Sequence, residues 1–252
     1  MNNKTSIRTL SVQFDLPMRG KQISQFRAAI AEAAGFENDL FHNHRPDGSK
    51  LQRYPLIQYR VRHGTAALFA INEGIEAVQQ WLFRSKGQLR IGGETLPLPL
   101  VKLDACEHAL EIVEKPRSYY LNRWLPFNRE KYGQWLKAHD LEARVPLLNN
   151  LLVSHLLTFC RAANWDLRQD AGPVTHPLDA RLQQIVHLRQ VRYHGVPMVA
   201  FEVVFSCNLA LPFGIGLGRA VSSGFGVSSP VRSRQLVPGS QNGNVLEVNA
   251  LD

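Results

Sequence analysis

The stretch SCNLALPFGIGLGRAVSSGFGV, residues 206–227, carries five glycines within thirteen positions, and we call it the glycine-rich segment. Glycine lacks a Cβ and tolerates positive φ, so such a stretch can bring backbone N–H groups close to another surface. Successive exposed N–H groups form a concavity that suits a phosphate. The candidate anion contacts are Gly214, Gly216, Gly218, Gly224 and Gly226, together with the side chains of Arg219 and Ser222.

Two common glycine motifs do not fit this segment. A dinucleotide-binding fingerprint places G-x-G-x-x-G between a strand and a helix, whereas Gly216-x-Gly218 continues to Val221 and no helical run follows. A P-loop needs Gly-Lys followed by Ser or Thr, and the sequence has no such triplet. A glycine-rich hairpin that only turns the chain remains an alternative to the anion site.

The order of residues in the segment resembles the C-terminal glycine-rich signature of the CRISPR-associated endoribonucleases that cut precursor crRNA. The shared pattern is Ser-x-Asn-x-x-Leu-Pro at 206–212, Ile-Gly-Leu-Gly at 215–218 and Val-Ser-x-Gly-Phe-Gly at 221–226. Ser223 stands where relatives often carry a basic residue. The wider superfamily consists of repeat-associated RNA-binding proteins, and the resemblance implies its paired ferredoxin-like domains.

The hydrophobic pattern of the first hundred residues also predicts a ferredoxin-like domain. A strand at 7–14 precedes a helix at 21–34, whose apolar residues repeat at helical spacing. A hairpin at 54–71, a helix after Asn72 and a short strand at 88–98 complete the order β-α-β-β-α-β.

The proline-punctuated LPLPL at 96–100 predicts a domain boundary. Strands at 109–113, 119–125, 184–194, 196–207 and 221–229, with helices at 129–139 and 146–163, predict a second, modified unit. The predicted architecture is therefore α+β, with two tandem ferredoxin-like (βαββαβ, RRM-like) domains at 1–98 and 101–232. Residues 235–252 are weakly patterned, which predicts a disordered tail.

The charge of the chain favours a polyanionic partner. Its 252 residues carry a net charge of +8, with +5 in residues 1–100, +5 in 101–234 and −2 in the tail. A basic excess over both halves suits a nucleic acid that lies across both, although a merely basic soluble protein is an alternative.

The cysteines and the hydropathy indicate the compartment. The three cysteines (Cys106, Cys160 and Cys207) form no C-x-x-C pair, so neither a zinc ribbon nor a disulfide framework is indicated, and we expect buried thiols in a reducing cytosol. No leader-like stretch precedes the first strand, and no apolar run approaches a membrane span. We therefore expect a soluble, cytoplasmic protein without membrane contact.

A second motif, FHNH at 41–44, begins what we call the histidine loop, residues 41–53. Cleaving RNA without a metal requires one group that removes the 2′-hydroxyl proton and one that protonates the leaving 5′ oxygen. Histidine has a pKa near neutrality, which suits both roles. A neighbouring Lys, Arg or Tyr can stabilise charge on the pentavalent phosphorane. The chain shows no evident Asp/Glu pair suited to two-metal chemistry.

Other interpretations of this loop stay open from the residues alone. The HNH nuclease motif scatters its residues over a ββα unit, so the contiguous lettering here is a coincidence. A zinc site would need further ligands at suitable spacing, which the neighbouring sequence does not offer. A solvated polar loop is the simplest alternative.

The resemblance favours catalysis, because relatives carry an FHNH-like motif after the first helix and then a strand like YPLIQY, here at 54–59. It implies metal-independent cleavage by the 2′-hydroxyl without a cofactor, leaving a 2′,3′-cyclic phosphate and a 5′-hydroxyl. At the matching positions His44 is the expected general base or acid, and His42 its partner or substitute. Tyr54 is expected to orient a group through its hydroxyl, and Lys50 is an electrostatic candidate.

The expected partner is CRISPR repeat RNA (pre-crRNA), which the resemblance implies. Arg45 and Arg53 near the histidine loop, and Arg189 and Arg192 on a basic strand, are further candidate RNA contacts. Homodimers are common among relatives, so a homodimer is compatible with the resemblance, as is association with other CRISPR effector subunits. The alternative function is a non-catalytic RNA-binding subunit that holds crRNA in an interference complex.

Overall fold

A computed structural model describes residues 4–35, 38–42, 49, 51, 53–167, 177–193 and 195–232. The predicted tail at 235–252 lies outside the described residues. The first unit contains β1 (Lys4–Pro17), α1 (Ile23–Ala34), β2 (Ile57–Arg62), β3 (Thr65–Ile71), α2 (Glu73–Ser85), β4 (Gln88–Ile91) and β5 (Glu94–Pro97). The second contains β6 (Leu100–Trp124), α3 (Arg129–Lys137), α4 (Leu141–Ala162), β7 (Ala180–Tyr193), β8 (Val196–Leu209) and β9 (Val227–Pro230).

The first unit is an antiparallel sheet in the order β2-β3-β1-β6 with α1 and α2 on one face. Alternate residues of a strand point to opposite faces, so Leu10, Val12 and Phe14 of β1 all lie on the helix side. Phe14 packs edge-on against Phe26 of α1 and Trp81 of α2. This confirms the predicted helix at 21–34 and the predicted hairpin.

The fourth strand of this unit is β6, so the prediction that 88–98 supplies it is wrong. Those residues form a small separate hairpin, in which β4 pairs with β5. Gly92 and Gly93 make its turn with φ of 61° and 92°. Two adjacent glycines suit a two-residue turn that needs positive φ, which explains why the stretch folds back on itself.

The strand β6 runs unbroken for 25 residues, whereas the sequence predicted two separate strands in this region. Its first half pairs with β1, and its second half pairs with β8 and β9. The register with β8 shifts between Ile112 and Arg117, and Pro116 lies within that shift. A proline cannot donate to a ladder, and an irregular register accommodates it without ending the strand. One strand therefore joins the two units.

The second unit packs α4 against β6, β7 and β8. Leu148, Leu152 and Leu156 are fully buried in one cluster with Phe201 and Phe205 of β8. This confirms the apolar stripe that the sequence predicts for this helix. The helix begins at Leu141, earlier than predicted, because the Asp140 side chain accepts a hydrogen bond from the Ala143 amide and caps it.

After β8 the chain leaves the sheet and returns to it only at β9. The predicted strand at 221–229 is therefore shorter than expected, since Val221–Ser223 form a 3-10 turn and pairing to β6 begins at Val227. Across the described part of the chain, no helix combines the length and the apolar character needed to cross a membrane.

Candidate functional site

The glycine-rich segment folds as two short arms that lie antiparallel to each other. The Gly214 amide donates to the Ser228 carbonyl at 2.9 Å, and the Leu217 amide donates to the Gly226 carbonyl at 2.8 Å. A bridge between Gly216 and Val227 lies between these bonds. Residues 218–225 form the tip between the arms, which contacts α1 and β2 and also packs on the second unit's sheet, where the rings of Phe225 and Tyr193 lie 5.8 Å apart.

Close contacts between these glycines and the protein's own backbone explain their presence better than a phosphate-binding site made of backbone amides does. A Cβ on Gly226 would lie 1.9 Å from the Leu217 carbonyl oxygen, and one on Gly224 would lie 3.0 Å from the Tyr59 carbonyl oxygen. The amides of Gly214, Gly224 and Gly226 all donate to carbonyls of this chain. These three of the five predicted amide donors are thus already used within the protein.

Arg27 of α1 joins the tip to the histidine loop. Its Nη1 donates to the Ser222 hydroxyl at 3.1 Å, and its Nη2 donates to the His42 carbonyl at 2.6 Å. The two motifs that the sequence separates by more than 150 residues therefore meet at one guanidinium. Sequence reasoning missed Arg27; the available signal was that it is the one cation in an alanine-rich helix.

The described ends of the histidine loop are fixed to the first unit. Phe41 is buried, and its carbonyl accepts a hydrogen bond from the Tyr59 hydroxyl at 2.9 Å. At the other end Arg53 forms an ion pair with Asp39 at 2.7 Å. His42 is half-buried between these anchors, at the rim beside Arg27. His44, Arg45 and Lys50 lie outside the described residues.

Tyr54 links the first unit to the glycine-rich segment through its hydroxyl. Its hydroxyl donates to the Gly216 carbonyl at 2.8 Å and accepts from the Gln58 side chain at 3.0 Å. Burial raises the pKa of Tyr54 well above its usual range, so the phenol stays protonated at physiological pH. The group that this hydroxyl orients is the backbone of the glycine-rich segment, and its predicted role towards RNA stays a prediction.

Arg60 places a cation directly beneath the segment. Its Nη2 donates to the Gly214 carbonyl and to the Gln58 side chain, and its guanidinium lies 4.2 Å from the centre of the Phe69 ring. Burial lowers the pKa of Arg60 to about 10, so it remains charged at neutral pH. The strand β2 that carries Arg60 also lies against the 3-10 turn Val221–Ser223 of the segment.

His155 of α4 lies under the segment near Gly218. The Trp124 indole donates to His155 Nδ1 at 3.2 Å, which leaves the proton of the neutral ring on Nε2. Burial, with a smaller contribution from the charge of Arg219, lowers the pKa of His155 to about 4. His155 is therefore a neutral packing residue, and Arg219 beside it is exposed.

The candidate contacts on β7 do not share one surface. Arg189 pairs with Ala200 of β8 and Arg192 pairs with Pro197, so their side chains lie on opposite faces of the strand. Arg189 also forms an ion pair with Glu202, which accepts a hydrogen bond from the Tyr120 hydroxyl at 2.5 Å. The charge of Arg189 is thus already balanced within the protein.

The cysteines match their prediction only in part. Cys160 and Cys207 are buried, and burial raises the pKa of each thiol to about 12. Cys106 is exposed on β6, so the expectation that all three thiols are buried is wrong. Within the described residues, no group of three or more His, Cys, Asp and Glu side chains could hold a metal ion.

Solved structures resemble the whole described fold. A structure of Cas6b has a TM-score of 0.72 and 20% identity, covering 90% of this chain and 100% of that chain. One of the CRISPR RNA processing endoribonuclease Cas6b has a TM-score of 0.65 and 17% identity over 90% and 100%. Csf5, a CRISPR-Cas type IV Cas6 crRNA endonuclease, has a TM-score of 0.55 and 14% identity over 90% and 100%.

Sequence comparison agrees with this fold. The chain is 26% identical to the uncharacterized protein MJ0978 of Methanocaldococcus jannaschii over 107 residues, which cover 42% of this chain and 67% of that protein. The model of the Cas6b N-terminal domain matches residues 5–109, and the model of the Cas6b C-terminal domain matches residues 111–231. The two matches are separated by Leu110 alone, within β6, and together cover most of the sequence, and the chain therefore belongs to the Cas6b family.

Proposed function

We propose that this protein is an endoribonuclease that cleaves precursor CRISPR RNA within its repeats to give mature guide RNA. The Cas6b family match and the fold shared with two CRISPR RNA endonucleases support this substrate and reaction. The observation in the molecule that carries the proposal is the position of Arg27, which contacts the histidine loop and the glycine-rich segment at once. A phosphate beside Arg27 would lie between the two motifs.

The proposed reaction needs no metal. A neutral imidazole of the histidine loop accepts the proton of a ribose 2′-hydroxyl, and the 2′ oxygen forms a bond to the adjacent phosphorus. The bond from phosphorus to the 5′ oxygen then breaks, and that oxygen takes a proton from an imidazolium. The products are a 2′,3′-cyclic phosphate and a 5′-hydroxyl. We propose His42 and His44 for the two proton transfers, with His44 as the first candidate.

Arg27 suits the stabilisation of the phosphorane. The guanidinium is already held by the His42 carbonyl and the Ser222 hydroxyl, so it is oriented before RNA binds. Preorganised donors stabilise developing charge without a reorganisation cost at the moment of reaction. The predicted contribution of Lys50 to the same charge remains part of this proposal.

RNA is proposed to lie across the tip of the glycine-rich segment. The donors at the tip are Ser222, the exposed Arg219 and Arg27, and the buried cation of Arg60 lies beneath. The basic excess in both halves of the chain extends this attraction to the flanking nucleotides. The protein is proposed to act in the cytoplasm, where its RNA substrate is transcribed.

The test uses repeat RNA from the CRISPR array of the same host, incubated with the full chain in EDTA. We expect cleavage to continue and the products to carry cyclic phosphate and 5′-hydroxyl ends. His44→Ala and His42→Ala are each expected to lower the single-turnover rate. Arg27→Ala should lower it by roughly 100- to 1,000-fold, which is the effect of losing one preorganised donor. Arg84→Ala, which removes an exposed arginine of α2, is the matched control.

The outcomes separate the possible functions. Loss of cleavage in EDTA would assign the reaction to a metal nuclease, and 3′-phosphate or 3′-hydroxyl ends formed directly would exclude 2′-hydroxyl attack. Tight binding of repeat RNA with no cleavage would identify a non-catalytic RNA-binding subunit. Equal rates for Arg27→Ala and Arg84→Ala would remove Arg27 from the site.

A further inference from the structure

We propose that the exposed ring of Phe213 is a stacking platform for a nucleobase of the bound RNA, next to the site described above. This inference rests on the proposed function, because it assumes that RNA crosses the glycine-rich segment. Phe213 lies within that segment, directly before Gly214, and keeps 54% of its surface exposed.

Exposure alone does not carry the argument. Single exposed apolar residues are common on protein surfaces, and Phe83 of α2 is 89% exposed. Phe213 differs because other aromatic rings support it. Tyr119 meets it edge-to-face with ring centres 6.1 Å apart, and Tyr119 in turn stacks on the buried ring of Phe205 at 5.5 Å.

The backbone on either side of Phe213 is also held in place. The Pro212 carbonyl accepts a hydrogen bond from the Ser228 hydroxyl at 3.3 Å, and the Gly214 amide donates to the Ser228 carbonyl at 2.9 Å. Arg60 donates to the Gly214 carbonyl from below. A platform that is already ordered loses little conformational entropy when a base stacks on it.

Arginines lie close to residues that neighbour Phe213. Arg60 reaches Gly214, and the exposed Arg62 follows it two residues along β2. Arg117 of β6 lies close enough to the Tyr119 hydroxyl to oppose the rise that burial causes in the pKa of Tyr119. An exposed aromatic ring beside a basic track is the arrangement that binds single-stranded nucleic acid, because bases stack on the ring while phosphates contact the cations.

Contacts within the protein connect Phe213 to the proposed cleavage site. Arg60 donates to the Gly214 carbonyl, and its strand β2 lies against the 3-10 turn of residues 221–223. Arg27 joins Ser222 of that turn to His42. An RNA strand that follows this path would place a base on Phe213 a few nucleotides from the scissile phosphate. The stacked base would be single-stranded, because a paired base hides its faces in the helix.

The experiment measures binding of a fluorescein-labelled repeat RNA that is 2′-O-methylated throughout and so cannot be cleaved by 2′-hydroxyl attack. Phe213→Ala and Phe213→Leu should each weaken its affinity by about 5- to 150-fold, the range for loss of one base–aromatic stack. Phe213→Trp should keep the affinity within about twofold, because it retains an aromatic face. Phe83→Ala, which removes the other exposed phenylalanine ring, is the control and should bind like the unchanged protein.

A second readout locates the base. In the same RNA, 2-aminopurine placed at successive positions should be quenched at one position by the unchanged protein and not by Phe213→Leu. Equal affinity of Phe213→Leu and the unchanged protein would overturn the stacking platform, and so would a loss in Phe213→Ala that Phe213→Leu repairs. A change of oligomeric state in Phe213→Ala, measured by light scattering, without a change in RNA affinity would assign the ring to contact between copies and overturn the proposal.

These results are distinguishable from failure of the proposed function. If the unchanged protein cleaves repeat RNA but Phe213→Ala binds it normally, only the platform is wrong. If the unchanged protein neither binds nor cleaves repeat RNA, both proposals are wrong.

Discussion

Replacing Gly226 by alanine should destabilise the protein far more than its backbone angle alone explains. Gly226 has φ of 66°, and Gly92 in the β4–β5 turn has φ of 61°, so both positions impose nearly the same left-handed strain on an alanine. Nothing lies within 4 Å of a Cβ on Gly92, whereas a Cβ on Gly226 would lie 1.9 Å from the Leu217 carbonyl oxygen. The pair of variants therefore separates strain from close approach.

The magnitude follows from the contacts that must change. Left-handed strain costs about 1–2 kcal/mol, and we expect Gly92→Ala to lose only this. In Gly226→Ala the two arms of the glycine-rich segment must separate until the contact reaches at least 3.4 Å. That movement breaks the 2.8 Å bond from the Leu217 amide to the Gly226 carbonyl. Buried groups left unpaired add about 1–3 kcal/mol, so we expect roughly 2–5 kcal/mol in all.

The assay is urea unfolding at 25 °C with linear extrapolation, followed by RNA cleavage at a temperature where each variant is folded. We expect Gly226→Ala to lose about 1–3 kcal/mol more than Gly92→Ala, and to lose cleavage as well because the tip shifts away from Arg27. Free energies of unfolding that agree within about 0.5 kcal/mol would refute the close approach. Normal cleavage by a destabilised Gly226→Ala would refute the link between the shape of the segment and activity.

Three further predictions concern groups around the site. Tyr54→Phe should lower the free energy of unfolding by about 1–3 kcal/mol in urea, since the buried Gly216 carbonyl loses its donor; an unchanged value would contradict the link. A thiol reagent applied to the folded protein should modify Cys106 quickly and the other two cysteines only after unfolding, as mass spectrometry of peptides can show. Burial lowers the pKa of His155 in the folded protein to about 4, so below about pH 6.5 the unfolded state binds a proton that the folded state does not. The free energy of unfolding should therefore fall by up to about 1.4 kcal/mol per pH unit between pH 6.5 and pH 4. His155→Asn keeps an acceptor for the Trp124 indole and should lose this dependence in unfolding curves at pH 7 and pH 5; an unchanged slope would reject the assignment to His155.

The local hydrophobic pattern was enough to predict the elements whose partners are near in sequence. The helix α1 and the β2–β3 hairpin follow from apolar spacing and from the turn residues His63 and Gly64, and the structure confirms both. The leucines of α4 likewise mark a buried face whatever that face packs against. In each of these elements the periodicity alone identifies the buried side.

The continuity of β6 could not be predicted from the same rules. The charged residues and Pro116 are typical of a break between two strands, because proline has no N–H group to donate to a neighbouring strand. Whether a proline ends a strand depends on the register of the neighbouring strand, and here β8 shifts its register at that place. That register is a long-range property, so the sequence of β6 does not contain it. The predicted boundary at 96–100 depended on the same local signals, and it stays a prediction.

The sequence predicted which segments form the candidate site better than it predicted the contacts within that site. The sequence marks the glycine-rich segment and the histidine loop, and Arg27 joins them in space. The sequence does not indicate that the amides of Gly214, Gly224 and Gly226 are used internally, because those partners lie in distant segments. Glycine permits close approach both to a ligand and to the protein's own backbone, and only the fold distinguishes the two.

The same distinction bears on how the tip could hold RNA. Three of the five glycine amides of the segment are used internally, so we expect the arginines that the segment positions to contribute most to binding an anion. Arg27 is held by acceptors on both motifs, and Arg60 is buried beneath the segment, so each is oriented before RNA arrives. Arginines held in this way favour a phosphate at one place on the surface, whereas mobile surface cations would attract the whole RNA backbone about equally. The proposed cleavage at one bond within a repeat requires the first arrangement.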